Sequence, residues 1–196
     1  MSEVKTNKVS PVGANGTVTL GDSGDTFTIP SGVTFTNSGT ATGFGTNAPA
    51  FEAYLSADQS VSDNVLTKLA ANTEVFDSND AYDNSSNYRF TVPTGEGGKY
   101  FVYAQIVFYS SHGGNDLQIQ QLLIKKNGSN AGVSESSRNQ MGIAETINYS
   151  SIMVLSAADY LEVWGLFNNV QGSSYTKFAG DAYPRSFFGA YKMMGI

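Results

Sequence analysis

The chain has 196 residues, a net charge of −6 and no cysteine. The length fits one domain of ordinary size with some chain left over, and the lack of cysteine excludes disulfides and thiol chemistry. The acidic balance, without any run of Lys or Arg, argues against a nucleic-acid partner. Gly (21), Tyr (11) and Phe (12) are abundant while only 14 % of residues are charged, which predicts an all-β protein with many tight turns.

The N-terminal stretch MSEVKTNKVSPVG has no apolar signal core, and no run of 18 apolar residues occurs in the sequence. We therefore expect no membrane insertion and no secretion by the standard route. Residues 1–16 are polar and carry too little apolar surface to fold alone. Two interpretations stay open for them: a disordered tail, or an anchor that becomes ordered when it binds a partner.

Residues 17–45 have a different pattern, in which turn clusters separate short apolar pairs. The pairs are Val18 with Leu20, Phe27 with Ile29, and Val33 with Phe35. A flexible linker rich in Gly, Ser and Thr is one interpretation. However, a linker does not need apolar residues at period 2, and three chains wound together would cover pieces that are too short to bury themselves. We predict a β-rich stem and hinge over residues 17–48.

Residues 49–196 are predicted to form a C-terminal knob. Phe51, Ala53 and Leu55 alternate with other residues as the first strand, and Asn127-Gly128 is a strong hairpin signal. Number and spacing predict about eight to ten antiparallel strands in a jelly roll. The clearest strand patterns after the first lie at residues 88–92, 100–109, 117–125, 147–155, 161–167 and 187–193.

The strand at residues 100–109 is apolar or aromatic on both faces, apart from Gln105. Such a strand must be covered on both sides, and the domain's own core supplies only one cover. A neighbouring subunit would supply the other. The predicted interface residues are Tyr100, Phe101, Val102, Tyr103 and Trp164.

Residues 76–103 also carry a resemblance to a known family. Their pattern resembles the signature of the globular head of complement component 1, subcomponent q, which belongs with the tumour necrosis factor-like jelly rolls. The matching residues are Asp77, Tyr82, Asp83, Phe90, Pro93, Gly98, Tyr100 and Val102. The gap from Tyr82 to Phe90 is one residue longer than in the family, and the turn after Pro93 is extended. Over residues 49–196 the resemblance implies a jelly-roll fold and threefold symmetry.

A second resemblance concerns the N-terminal part. Residues 17–45, together with the start Lys5-Thr6-Asn7-Lys8-Val9, resemble the N-terminal parts of phage virion structural proteins. In bacteriophage fibres, interwoven β-stems precede C-terminal knobs. This resemblance implies a location in the virion, assembly in the host cytoplasm, and attachment to another virion protein through residues 1–16.

Candidate chemical sites are few. The single histidine, His112, has Asp116 nearby but lies on a Gly-rich loop, which favours a surface turn over catalysis. The stretch Asp77–Asp83 begins like a calcium loop, but Ala81 and Tyr82 stand where an oxygen ligand and the turn glycine belong. The sequence leaves open whether a calcium ion binds here. We predict no catalytic residue, no cofactor and no metal-ligating residue.

Recognition is predicted at the end of the knob far from the stem. Counting strand directions places the loops at residues 169–184 and 127–144 and the Pro93–Gly98 turn at that end, with residues 110–116 and 156–159 at the base. The far-end loops hold a mixed aromatic and cationic set suited to sugars or a protein surface. This set comprises Arg138, Tyr175, Lys177, Phe178 and Tyr183. The alternative is that these residues only close the top of the barrel.

The combined prediction is a non-enzymatic, homotrimeric phage virion protein of the tail fibre or spike type. Its knob would contact a glycan or protein of the host cell surface. One alternative is a capsid fibre or decoration protein that binds no receptor. Another is an enzyme acting on a polysaccharide, which a deep groove with two suitably spaced carboxylates would favour.

Overall fold

A computed structural model describes residues 8–13, 16–38, 47–110, 117–169 and 176–193, with the backbone alone for residues 138–141. Contacts divide the chain into two units, Met1–Phe44 and Gly45–Ile196. The predicted division into tail, stem and knob stays a prediction. His112 and Tyr175 lie outside the described residues.

The described parts of the first unit are extended and exposed. Three backbone hydrogen bonds close turns, from Gly16 N–H to the Gly13 carbonyl, from Asp25 N–H to Asp22, and from Val33 N–H to Pro30. Between and after the turns, large apolar side chains face solvent in the single chain. They are Val18, Leu20, Phe27, Ile29, Val33 and Phe35.

The second unit is a sandwich of two antiparallel sheets, which confirms the predicted all-β jelly-roll class. Its described residues contain no helix and thirteen strands. Four strands outside the predicted patterns, β2, β3, β5 and β12, have only two or three residues and are too short to show a period-2 pattern, which explains part of the excess over the eight to ten predicted. The strands are β1 Ala50–Tyr54, β2 Gln59–Ser60, β3 Thr67–Lys68, β4 Thr73–Asp77, β5 Tyr82–Asp83, β6 Arg89–Thr91, β7 Gly98–Ser110, β8 Leu117–Lys126, β9 Ser129–Met141, β10 Ala144–Leu155, β11 Tyr160–Asn169, β12 Thr176–Phe178 and β13 Phe187–Lys192.

The first sheet has the order β2-β12-β7-β13-β1-β4. Strands β12 and β13 pair with different stretches of one edge of β7, and β10 pairs along its other edge. The second sheet has the order β5-β6-β11-β8-β9, and β3 pairs with β11. The predicted hairpin joins β8 and β9. Asn127 and Gly128 both have positive φ, 51° and 79°, as a two-residue type I′ turn requires.

The core lies between the two sheets and is largely aromatic. The Phe51 ring stacks on Tyr82 at 4.7 Å and on Phe90 at 4.9 Å, and Phe188 meets it edge-on at 4.9 Å. The even-numbered residues of β7 from Tyr100 to Phe108 point into this core and are buried by the chain itself. The prediction that Tyr100 and Val102 lie in a subunit interface is therefore wrong, because both have no exposed surface even in the single chain.

The two ends of the sandwich differ from the predicted arrangement. The sandwich begins at Pro49, whose carbonyl accepts a hydrogen bond from Lys192 N–H, so both termini of the sandwich lie at one end, here called the entry end. Gly98 pairs with Leu155 at the same end. The placement of the Pro93–Gly98 turn at the far end is therefore wrong. At the opposite end, Ser110 pairs with Thr176. The loop at residues 110–116 was predicted at the base, but Ser110, its first residue, lies at the far end. The rest of that loop, residues 111–116, lies outside the described part.

Candidate functional site: an uncovered aromatic sheet face

The side of the first sheet that points away from the core is not covered by the described part of the second unit. On β7 the odd-numbered residues Phe101, Tyr103 and Gln105 point to this side and are half-buried. Their direct partners on β10, Ile152, Ser150 and Asn148, are exposed. Since opposite residues of an antiparallel pair share a face, β7 and β10 together present one continuous surface.

Four aromatic rings form a row across β7 and β13 on this surface. Tyr191 and Phe101 lie with ring centroids 5.5 Å apart, Phe101 and Tyr103 are 5.9 Å apart, and Tyr103 and Phe187 are 6.2 Å apart. The first two contacts are tilted and the third is edge-on, and such contacts favour defined ring positions. The row is therefore a preformed apolar surface.

Tyr103 at the centre of the row lies over a glycine. A Cβ added to Gly189 would lie 2.3 Å from the Tyr103 ring, so the missing side chain is what lets the ring lie flat across β13. The hydroxyl then reaches β1 and donates a hydrogen bond to a Glu52 carboxylate oxygen at 2.8 Å. Burial and this hydrogen bond to the carboxylate raise the pKa of Tyr103. The phenol stays protonated and holds the ring in place.

Aliphatic side chains extend the apolar surface beyond the rings. Ile152 and Val154 on β10 are 54 % and 70 % exposed. We use the name "open face" for the set Phe101, Tyr103, Ile152, Val154, Phe187 and Tyr191. A cavity of about 290 Å³ lies beside it, between the Tyr103 and Phe187 rings and the polar side chains of Asn148 and Ser150. A large apolar surface with a polar margin is typical of a protein contact surface.

Trp164, the remaining predicted interface residue, lies on the outer side of the second sheet. Its indole N–H donates to Glu162 at 3.0 Å, and the Lys125 and Lys68 ammonium groups lie 4.1 Å and 5.4 Å from its ring centroid. Lys68 also forms an ion pair of 2.6 Å with Glu162. The indole is thus engaged within its own chain, on the opposite side of the sandwich from Phe101 and Tyr103.

The predicted recognition residues do not form one surface cluster. Phe178 is fully buried and meets the Phe108 ring edge-on at 5.5 Å, so its assignment as a binding residue is wrong. Lys177 forms an ion pair with Asp58, and its ammonium lies 4.7 Å from the Tyr109 ring centroid. Tyr183 is 60 % exposed. Arg138 belongs to β9, but its side chain, like Tyr175, lies outside the described part.

The acidic loop that begins like a calcium site uses its carboxylates for backbone capping. Asp77 accepts hydrogen bonds from the N–H groups of Asn79 and Tyr82. Asp83 accepts from the N–H groups of Ser86 and Ser85 and from the Asn87 side chain, and these bonds hold its pKa well below the usual range. No group of three His, Cys, Asp or Glu side chains suited to a metal ion occurs in the described part of the chain. The same part contains no helix long and apolar enough to span a membrane.

Sequence reasoning identified two members of the open face and missed four. Ile152, Val154, Phe187 and Tyr191 were assigned to strands without a face. In β10 the signal was present, because Ile147 and Leu155 are buried at odd positions while even positions from 144 to 154 are exposed. Ile152 and Val154 are apolar residues at the even, exposed positions of β10, and this feature would have identified them.

The comparisons with known proteins concern the fold. No protein-family model matches the sequence, and no curated protein matches it. Among solved structures, the chain is similar to the globular domain of zebrafish complement 1qA (12 % identity, TM-score 0.50, covering 76 % of this chain and 99 % of that one). It is also similar to Eiger TNF from S. frugiperda (15 %, 0.53, 75 % and 93 %) and to murine APRIL (14 %, 0.50, 74 % and 98 %). The second unit therefore has the C1q and tumour necrosis factor-like jelly-roll fold.

Proposed function

We propose that the protein is a homotrimer in which the open face of each copy packs against its neighbours. The observation that carries this proposal is the row of four aromatic rings, three of them half-buried and one exposed, with the exposed Ile152 and Val154 beside it in the single chain. Burying a large apolar side chain stabilises by roughly 1.5–3 kcal/mol, so an association that covers the set is strongly favoured. The C1q and tumour necrosis factor-like fold supports three copies rather than two.

We further propose that the trimer is a non-enzymatic structural protein of a phage virion, of the tail fibre or spike type. The exposed apolar pairs of residues 18–35 support a stem, because three chains wound together would cover them. Residues 1–16 would then attach to another virion protein. The knob would contact a glycan or protein on the host cell surface, with Tyr183 as the exposed member of the predicted set.

Two measurements test the two levels of this proposal. Light scattering coupled to size exclusion should give three times the chain mass of 20.9 kDa, and a monomer at micromolar concentration would refute the trimer. Gold-labelled antibody against the knob should label the tails of intact phage particles. Labelling of heads would favour a capsid fibre or decoration protein, and particles that bind no antibody would refute a virion location.

A further inference from the structure

A groove of about 590 Å³ lies at the entry end, away from the open face. Its walls are the β5–β6 hairpin, the loop that precedes β5, the start of the turn after Val92, and Ala158. None of these residues belongs to the open face, and β5 and β6 belong to the second sheet. The groove therefore does not overlap the open face.

One wall of the groove carries a cation that is held in place by an aromatic ring. The Arg89 guanidinium carbon lies 4.5 Å from the Tyr160 ring centroid. Within the described part of the chain, the guanidinium makes no hydrogen bond and no ion pair. The ring thus fixes the guanidinium while its N–H groups stay available, and a planar guanidinium can bind a carboxylate through two parallel hydrogen bonds.

The facing loop presents a carboxylate and an amide. Asp80 has a positive φ of 53°, and its carboxylate has no hydrogen-bond or ion-pair partner among the described residues. The Asn79 side-chain oxygen accepts a hydrogen bond from the Ser78 hydroxyl, so the amide N–H groups remain available. This differs from Asp83 in the same groove, whose carboxylate is occupied by neighbouring N–H groups.

Hydroxyl and apolar groups complete the lining. Thr91 and Thr94 contribute hydroxyls, and Pro93 and Ala158 contribute apolar surface. A fixed cation, a free carboxylate and amide, hydroxyls and a small apolar patch match the groups of a sugar ring that carries a carboxylate. The cation would bind the sugar carboxylate, while Asp80 and Asn79 would bind the ring hydroxyls.

We propose that this groove binds an acidic sugar, such as a uronic acid unit of a polysaccharide. The proposal does not depend on the trimer or on the virion location. Arg185 provides a matched control, since it is half-buried like Arg89 but lies outside the groove.

The test is a titration of the full ¹⁵N-labelled chain with a tetrasaccharide of alternating glucuronic acid and N-acetylglucosamine. Its carboxyl-reduced form and inorganic phosphate serve as comparison probes. We expect the backbone amides of residues 79–83, 91, 92, 94 and 158 to shift with the acidic tetrasaccharide. Arg89→Gln should weaken its binding at least tenfold, Arg89→Lys should weaken it less, and Arg185→Gln should leave it unchanged.

Each other outcome overturns the proposal. Equal binding of the carboxyl-reduced tetrasaccharide would exclude recognition of the carboxylate. Equal shifts with phosphate would make the groove a general anion site. Shifts elsewhere on the chain, or no shifts at millimolar tetrasaccharide, would exclude a sugar site in the groove. The shift map of the unsubstituted chain decides the matter even if an Arg89 variant folds poorly.

Discussion

Replacing Val154 by Asp is the sharpest test of the open face. Val154 is 70 % exposed in the single chain, so the substitution removes no contact in the core and should cost the isolated knob less than about 1 kcal/mol. In the trimer the exposed part would be covered. Full burial of such a side chain is worth roughly 1.5–3 kcal/mol, so the covered 70 % contributes about 1–2 kcal/mol per copy and about 3–6 kcal/mol per trimer.

That loss alone raises the trimer dissociation constant by roughly 10² to 10⁴, since about 1.4 kcal/mol is a factor of ten. Each unpaired carboxylate buried in the interface would add several kcal/mol to this loss of association free energy. Light scattering across a dilution series should therefore show a monomer where the unsubstituted chain is a trimer. Val133→Asp is the control, because Val133 is 58 % exposed on the outer side of the second sheet. A Val154→Asp chain that stays trimeric at every concentration would refute the reasoning, as would equal dissociation of the Val133→Asp chain.

Three further outcomes follow from individual contacts. Gly189→Ala should destabilise the knob by about 1–3 kcal/mol in urea unfolding, because the new Cβ would displace the Tyr103 ring, whereas Gly142→Ala meets no atom within 4 Å and should be nearly neutral. Hydrogen bonds from Lys126, the Ser156 N–H and Asn127 lower the pKa of Asp159 to about 2, so its stabilising contribution is present above pH 3.8 and lost as pH falls through 2. Unfolding midpoints of the unsubstituted and Asp159→Asn chains should accordingly differ at pH 6 and converge near pH 2; a constant difference would refute this. Residues 46–196 alone should melt cooperatively with near-ultraviolet aromatic dichroism retained, and a broad melt would count against that boundary.

The sequence predicted strands that are rich in apolar and aromatic residues, and it predicted the one hairpin turn that has a specific chemistry. Alternation in β7 and the Asn127-Gly128 turn are both reproduced by the structure. Strand β9 was missed because its sequence, SNAGVSESSRNQM, is almost entirely polar. It lies at the edge of the second sheet and pairs only with β8, where a polar composition is tolerated and protects against edge-to-edge association.

That single omission also explains why the ends of the knob were assigned wrongly. Antiparallel strands alternate in direction, so one strand left out between β8 and β10 reverses the direction of every strand counted back beyond it. The Pro93–Gly98 turn was therefore placed at the far end, while the loop between β10 and β11, which lies after the omission, was placed correctly. Phe178 failed for a different reason. Gly165 opposite it has no side chain, and a Cβ there would lie 2.5 Å from the Phe178 ring, so a loop aromatic enters the core through a space that no local pattern reveals.

The open face and the groove belong to different parts of the sandwich, which makes the two proposals separable. Val154→Asp changes none of the residues that line the groove, and Arg89→Gln changes none of the residues of the open face. A chain that fails to form trimers can still bind the acidic tetrasaccharide, and a trimer can form whether or not the groove binds a sugar. Because each substitution acts on one surface only, failure of the trimer proposal leaves the sugar site standing, and failure of the sugar site leaves the trimer standing.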